Sequence, residues 1–245
     1  MNKFDFISKF EDTCKKLKIK PKYIIEHSLK ISNNSINIDR VGILIKKNSI
    51  TEKNLTNFIN EFFVDYQDVI LFIDESKKKY GDKIHNVILG YSNQSIEIYI
   101  EYISPIDELP IIISYGLNNK QHSEYYLIKN SKDYVDEFIN LIKEKITLSN
   151  TKNFYDGGWY KNGENDMTYL TIRKKSFKKT LRNLCYDINP KEKKTIDEWF
   201  DKNKDKTINV IGYNTKNSVL TLNIYGVKLS LFFRLFLNII RSINI

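Results

Sequence analysis

Glu97, Tyr99 and Glu101 stand at every second position of the stretch S-I-E-I-Y-I-E-Y-I (95–103), with Ile96, Ile98 and Ile100 between and before them. Successive side chains leave opposite faces of a strand, so two carboxylates and a phenol share one face and three isoleucines the other. Enclosed in a polar cavity, the two carboxylates would repel each other and titrate together. At least one pKa would rise unless Arg40, Arg173 or a metal compensates. In open water the same face is an ordinary solvated edge. Whether this stretch is a site depends on the elements around it.

Other chemistry-bearing residues are scattered. His27, His85 and His122 are far apart and lack the spacing of a metal helix. No P-loop, dinucleotide-binding glycine pattern, serine elbow or Cys-His pair is present. Cys14 and Cys185 make neither a disulfide framework nor a zinc site, which fits a reducing, cytoplasmic setting. The run R-K-K-S-F-K-K (173–179), with Phe177 and the nearby Trp159 and Tyr160, is the best candidate for a nucleic-acid surface; a solvated helix start is the alternative. The formal net charge of +9 supports phosphate or nucleic-acid partners only weakly, because the whole chain is rich in Lys, Asn and Ile.

The elements that would hold these residues alternate in kind. Phe6, Ile7, Phe10, Cys14 and Leu17 recur at helical spacing, predicting a first helix that ends near Lys18. Ser49 and Glu52 read as a capping box before the stripe Leu55, Phe58, Ile59, Phe62 and Phe63. Further helices are predicted from Ser131 and from Asn189-Pro190. Between them lie paired extended runs with Asn- and Gly-rich turns: N-V-I-L-G-Y-S-N-Q-S-I-E-I-Y-I-E-Y (86–102), residues 110–128, 154–172 and I-N-V-I-G-Y-N-T-K-N-S-V-L-T-L-N-I-Y-G (208–226). A fifth pair spans residues 23–32 and 39–47. The aligned Gly90-Tyr91 and Gly212-Tyr213 suggest a diverged internal repeat.

Five hairpins make about ten antiparallel strands, and helices between them can cover one face. The expected fold is α+β: an antiparallel barrel or strongly curved sheet built from helix-hairpin units, helices outside, as one domain over residues 1–245. Closing or covering the sheet removes exposed edges. The apolar segment 229–245 carries Arg234 and Arg241 and reads as a buried helix rather than a membrane span.

This rhythm resembles the ABBA-type prenyltransferases, nearest in pattern to the cyanobactin peptide prenyltransferases. The likeness is carried by residues 86–102, by S-E-Y-Y-L-I-K-N-S-K-D-Y-V-D-E-F (123–138) and by I-D-R-V-G-I-L-I (38–45). The resemblance implies a ten-stranded barrel with a tyrosine-lined lumen that moves an isoprenoid from a prenyl diphosphate to an aromatic or peptidic acceptor. It makes Arg40, Lys129 and Arg173 the phosphate ligands, and Tyr99, Tyr126, Tyr169 and Tyr225 the shield of an allylic cation. Glu97 or Glu101 becomes the base, and Mg²⁺ the possible partner of the diphosphate. Members carry basic residues where this chain has Glu97 and Glu101. The other function classes are a non-catalytic ligand- or protein-binding domain of the same architecture and a basic nucleic-acid-binding protein.

Overall fold

A computed structural model of the chain describes residues 1–64, 66–81, 84–93, 95–102, 110–127, 140, 155–162, 167–172, 178–214 and 219–225. Apart from residue 140, the helix expected from Ser131 lies outside the described residues, as does the apolar segment 229–245. The fold class is α+β, with a strongly curved antiparallel sheet and helices, as the hairpins and helical stripes predicted. Two compact units make up the chain: Met1–Glu26 with Asp39–Tyr126, and His27–Ile38 with Leu127–Ile245.

The first unit opens with α1 (Lys3–Lys16). Asn2 caps it, accepting from the Phe4 and Asp5 amides, while the Asp5 carboxylate accepts from the Asn2 amide at 2.9 Å. Next come β1 (Tyr23–Ser32) and β2 (Ser35–Lys46), both crossed by the boundary between the units. Helix α2 (Glu52–Phe62) is capped by Thr51, not by Ser49: the Thr51 hydroxyl accepts from the Asn54 amide at 3.2 Å. Ser49 sits in a 3₁₀ turn instead, where its hydroxyl accepts from the Lys22 amide and donates to the Lys46 carbonyl. Helix α3 (Tyr66–Tyr80), absent from the sequence expectations, buries Val69, Phe72, Ile73 and Ser76.

Strands β3 (Ile84–Ser92), β4 (Ser95–Tyr102), β5 (Ile112–Gly116) and β6 (Gln121–Leu127) follow, and the order β2-β3-β4-β5-β6 is antiparallel throughout. One face is aliphatic and buried: Ile43, Leu89 and Ile98 form one cross-strand row, and Ile45, Val87, Ile100 and Ile113 the next. Phe6, Phe10, Phe58, Phe62 and Phe72 from the three helices share its core. The Phe58 and Phe62 rings stack at 5.2 Å, and Phe6 meets Phe62 edge-on at 5.5 Å. A bulge at His85 shifts the register, so Asn86 opposes Glu101 while Ile84 opposes Tyr102 and turns into the core.

In the second unit, β7 (Tyr155–Asn162), β8 (Met167–Ile172), β9 (Ile208–Asn214) and β10 (Val219–Tyr225) are antiparallel neighbours in that order. Leu170, Ile211, Leu220, Leu222 and Ile224 pack in one core with α4 (Lys178–Ile188) and α5 (Lys193–Lys202) through Leu181, Leu184, Cys185, Ile196 and Phe200. Pro190 begins a 3₁₀ turn (Pro190–Glu192) rather than the helix itself, and Asn189 donates its side-chain amide to the Ser32 carbonyl at 3.0 Å instead of capping. The Lys178 ammonium closes the other end of α5, donating to the carbonyls of Asn203 at 2.7 Å and Lys204 at 2.6 Å.

Candidate functional site

The other face of the first unit's sheet carries the candidate chemistry, set out in four cross-strand rows. Arg40 pairs with Ser92. Gly42, Gly90, Glu97 and Gly116 make the second row. Leu44, Ile88, Tyr99, Ser114 and Ser123 make the third, and Lys46, Asn86, Glu101, Ile112 and Tyr125 the fourth. Successive rows are about 7 Å apart, two residues of strand rise. This face is not a solvated edge. Asn86, Glu101, Ser114, Ser123 and Tyr125 are all buried, with Glu101 only 6% exposed.

Three glycines keep the second row low, and neighbours fill the relief. The Tyr99 ring crosses Gly90, where a Cβ would stand 2.9 Å from Tyr99 Cε2. Over Gly42 lies the Glu26 side chain, 3.5 Å from where a Cβ would be. Tyr99 donates its hydroxyl to Glu97, and its ring sits 6.2 Å from that of Tyr125 at 51°. Burial pushes the Tyr99 phenol well above its usual pKa; Glu97 and Tyr125 add to the shift, and the Arg40 charge opposes it. Tyr99 is therefore a fixed O–H donor. Arg40 is the cation at the first row of this face, as Lys46 is at the fourth, and among the described residues nothing accepts from the buried Arg40 Nε and Nη1.

Glu101 stands two rows from Glu97. Its carboxylate accepts from the Asn86 side-chain amide, and burial lifts its pKa to about 7 against the smaller, opposing effect of that hydrogen bond. The expected mutual titration of the two carboxylates is not the cause. Four residues of strand place their backbones about 13 Å apart, and desolvation alone raises the Glu101 pKa.

The rest of the expected set belongs to other described segments or lies outside the described residues. Tyr126 stands on the opposite, helix-covered face, because Ile113 pairs with Glu124 and Tyr126 follows two residues on. There Tyr126, Tyr80 and Lys79 all donate to Glu124, at the edge of a cleft of about 270 Å³ between α3 and β5–β6. Burial works to raise the Glu124 pKa, but these donors outweigh it and hold it low. Tyr169 belongs to the second unit, where its ring crosses Gly212 as Tyr99 crosses Gly90: a Cβ there would stand 2.6 Å from two ring carbons. Tyr225 ends β10, and its side chain, like all of Lys129 and Arg173, lies outside the described residues.

Asn86, Ser114, Ser123, Tyr125 and Glu26 join the face without having been singled out from sequence. For Ser123 and Tyr125 a signal existed: in Q-H-S-E-Y-Y (121–126) they alternate with Glu124 and Tyr126, which must then face away. Among the described residues no three His, Cys, Asp or Glu side chains gather to hold a metal. Nor is any helix there long and apolar enough to cross a membrane. The chain matches no model of a known protein family and no curated protein.

Proposed function

We propose that the chain is a prenyltransferase-like enzyme. It transfers an isoprenoid from a prenyl diphosphate to an aromatic or peptidic acceptor on the polar face of the first unit. The observation that carries this reading is Arg40. A guanidinium with two buried nitrogens that nothing among the described residues accepts from is costly in a protein unless an anion meets it, and a phosphate oxygen is its natural acceptor.

The rest of the face suits the same reaction. The bond between the prenyl C1 and the diphosphate oxygen breaks, and its electron pair leaves with the diphosphate towards Arg40. The allylic cation that remains needs aromatic faces and little water, which Tyr99 and Tyr125 supply. The acceptor's electron pair forms the new bond to C1, and its displaced proton goes to Glu97, the acceptor of the Tyr99 hydroxyl. Glu101, whose pKa burial lifts to about 7, lies two rows away from that pair.

The test is thermal unfolding with inorganic pyrophosphate, dimethylallyl diphosphate and geranyl diphosphate, each with and without Mg²⁺, followed by turnover with tyrosine- and tryptophan-containing peptides. All three anions are expected to stabilise the wild type and not the Arg40→Gln variant. Equal behaviour of the two proteins would overturn the reading. Stabilisation without any prenylated product would leave a ligand-binding protein and remove the enzyme.

A further inference from the structure

Glu101 lies at the far end of the face from Arg40. From the row of Arg40 to that of Glu101 is six residues of β2, Arg40 to Lys46, or about 20 Å. A single diphosphate cannot touch both ends. Between them the face offers Gly42, Gly90, Leu44 and Ile88, with the Tyr99 ring lying over it. The chemistry therefore changes from the Arg40 cation, through aromatic and aliphatic surface, to a buried carboxyl with Lys46 in its row.

We infer that Glu101, steadied by Asn86, is a hydrogen-bond donor that selects an uncharged oxygen acceptor, such as a ketone or amide carbonyl, on the second substrate. The inference rests on the face being a ligand site. Asn86 gives its amide hydrogen to Glu101 Oε2, which leaves the acid's own O–H for a ligand. Among the described residues Asn86 is the one hydrogen-bond partner of this carboxyl. Glu101 is nine-tenths buried and Asn86 more so, which makes the pair a rigid, desolvated fixture. Protonation to about pH 7 is what makes it a donor rather than an acceptor. A ligand carrying a carboxylate or phosphate at that end would instead be repelled once the group ionises. Titratable neighbours are Lys46 and Tyr125 in its row, Tyr99 beside it, and His85 in the bulge before Asn86.

Two neutral probes of the same shape separate this from simple hydrophobic binding: 2-acetylnaphthalene and 2-ethylnaphthalene, which differ in one carbonyl oxygen. Titrated into the protein at pH 5.5, the acetyl compound should bind about tenfold more tightly, the factor for one buried hydrogen bond. At pH 8.5 that advantage should vanish. Glu101→Gln, whose amide still donates, should keep it at both pH values, and Glu101→Ala should lose it at both. Equal binding of the two probes by the wild type, a preference that survives in Glu101→Ala, or a pH dependence that persists in Glu101→Gln would each overturn the inference. Inorganic pyrophosphate, titrated into the same three proteins, reports on Arg40 separately. Its binding should be unchanged by either Glu101 variant, so failure at one end of the face is distinguishable from failure at the other.

Discussion

The Tyr99 ring lies across the backbone of Gly90, so close that a methyl group on Gly90 would approach Cε2 to 2.9 Å. The ring fills the space that a side chain would occupy on β3, and Glu97 holds its hydroxyl. Gly90→Ala should therefore destabilise the protein by roughly 1–3 kcal/mol, the usual cost of overpacking. In a Tyr99→Ala background the same change should cost much less. Urea denaturation of the two single variants and the double variant measures the coupling. Simple additivity would show that the contact is not what Gly90 is there for.

Glu101 predicts a pH dependence of definite sign. Its pKa is about 7 in the folded chain against 4.5 when unperturbed. The unfolded chain therefore releases this proton first as pH rises. The stability linked to Glu101 is complete below about pH 4.5, declines between 4.5 and 7, and changes no further above that. The shift corresponds to a loss of about 3 kcal/mol. Glu101→Gln should remove this slope, so the gap between variant and wild type should widen from pH 5 to pH 8 in favour of the variant. A constant gap would show that the carboxyl is ionised throughout.

Lys178 separates the two readings of the basic run 173–179. Its ammonium is committed to the two carbonyls that follow α5, and Lys179 shows no such contact among the described residues. Lys178→Gln should lower stability by about 0.5–1 kcal/mol through loss of a charged C-terminal cap, while Lys179→Gln should change it little. Retention on DNA should respond weakly to Lys178→Gln, since its charge already faces carbonyls. A loss of DNA retention with unchanged stability would reverse this assignment.

The alternation of isoleucine with Glu97, Tyr99 and Glu101 was enough to place both faces of β4, because a buried face leaves no freedom of register. The same period, applied to Glu124, Tyr125 and Tyr126, would have exchanged Tyr126 for Tyr125. Paired tyrosines draw attention as a pair, but a strand always divides them. Other features rest on information that no local pattern carries. The bulge at His85 decides that Asn86 reaches Glu101, and it depends on the pairing of β3 with β4. Helix α3 was harder to see because Ile70 and Leu71 widen its apolar stripe, leaving Leu71 exposed. The Thr51 cap replaced Ser49 because the turn before α2 uses the Ser49 hydroxyl to tie Lys22 and Lys46 together.

Arg40 offers the sharpest opposition between stability and function. With Nε and Nη1 buried and no acceptor for them among the described residues, these two nitrogens have lost water without gaining a partner there. Such a group costs about 1–3 kcal/mol, towards the lower end here because the side chain is only half-buried. Arg40→Met keeps most of the aliphatic stem and removes the charge. It should raise the stability of the ligand-free protein by about 1 kcal/mol, as apolar replacements of poorly paired buried charges do. The sign should reverse when pyrophosphate is added. An anion at one hundred times its dissociation constant stabilises a binding protein by about 2.7 kcal/mol, so the wild type should then overtake the variant. Urea denaturation of both proteins, with and without pyrophosphate, reads all four values. If Arg40→Met is already less stable without the anion, Arg40 is a structural residue and the diphosphate site falls with it.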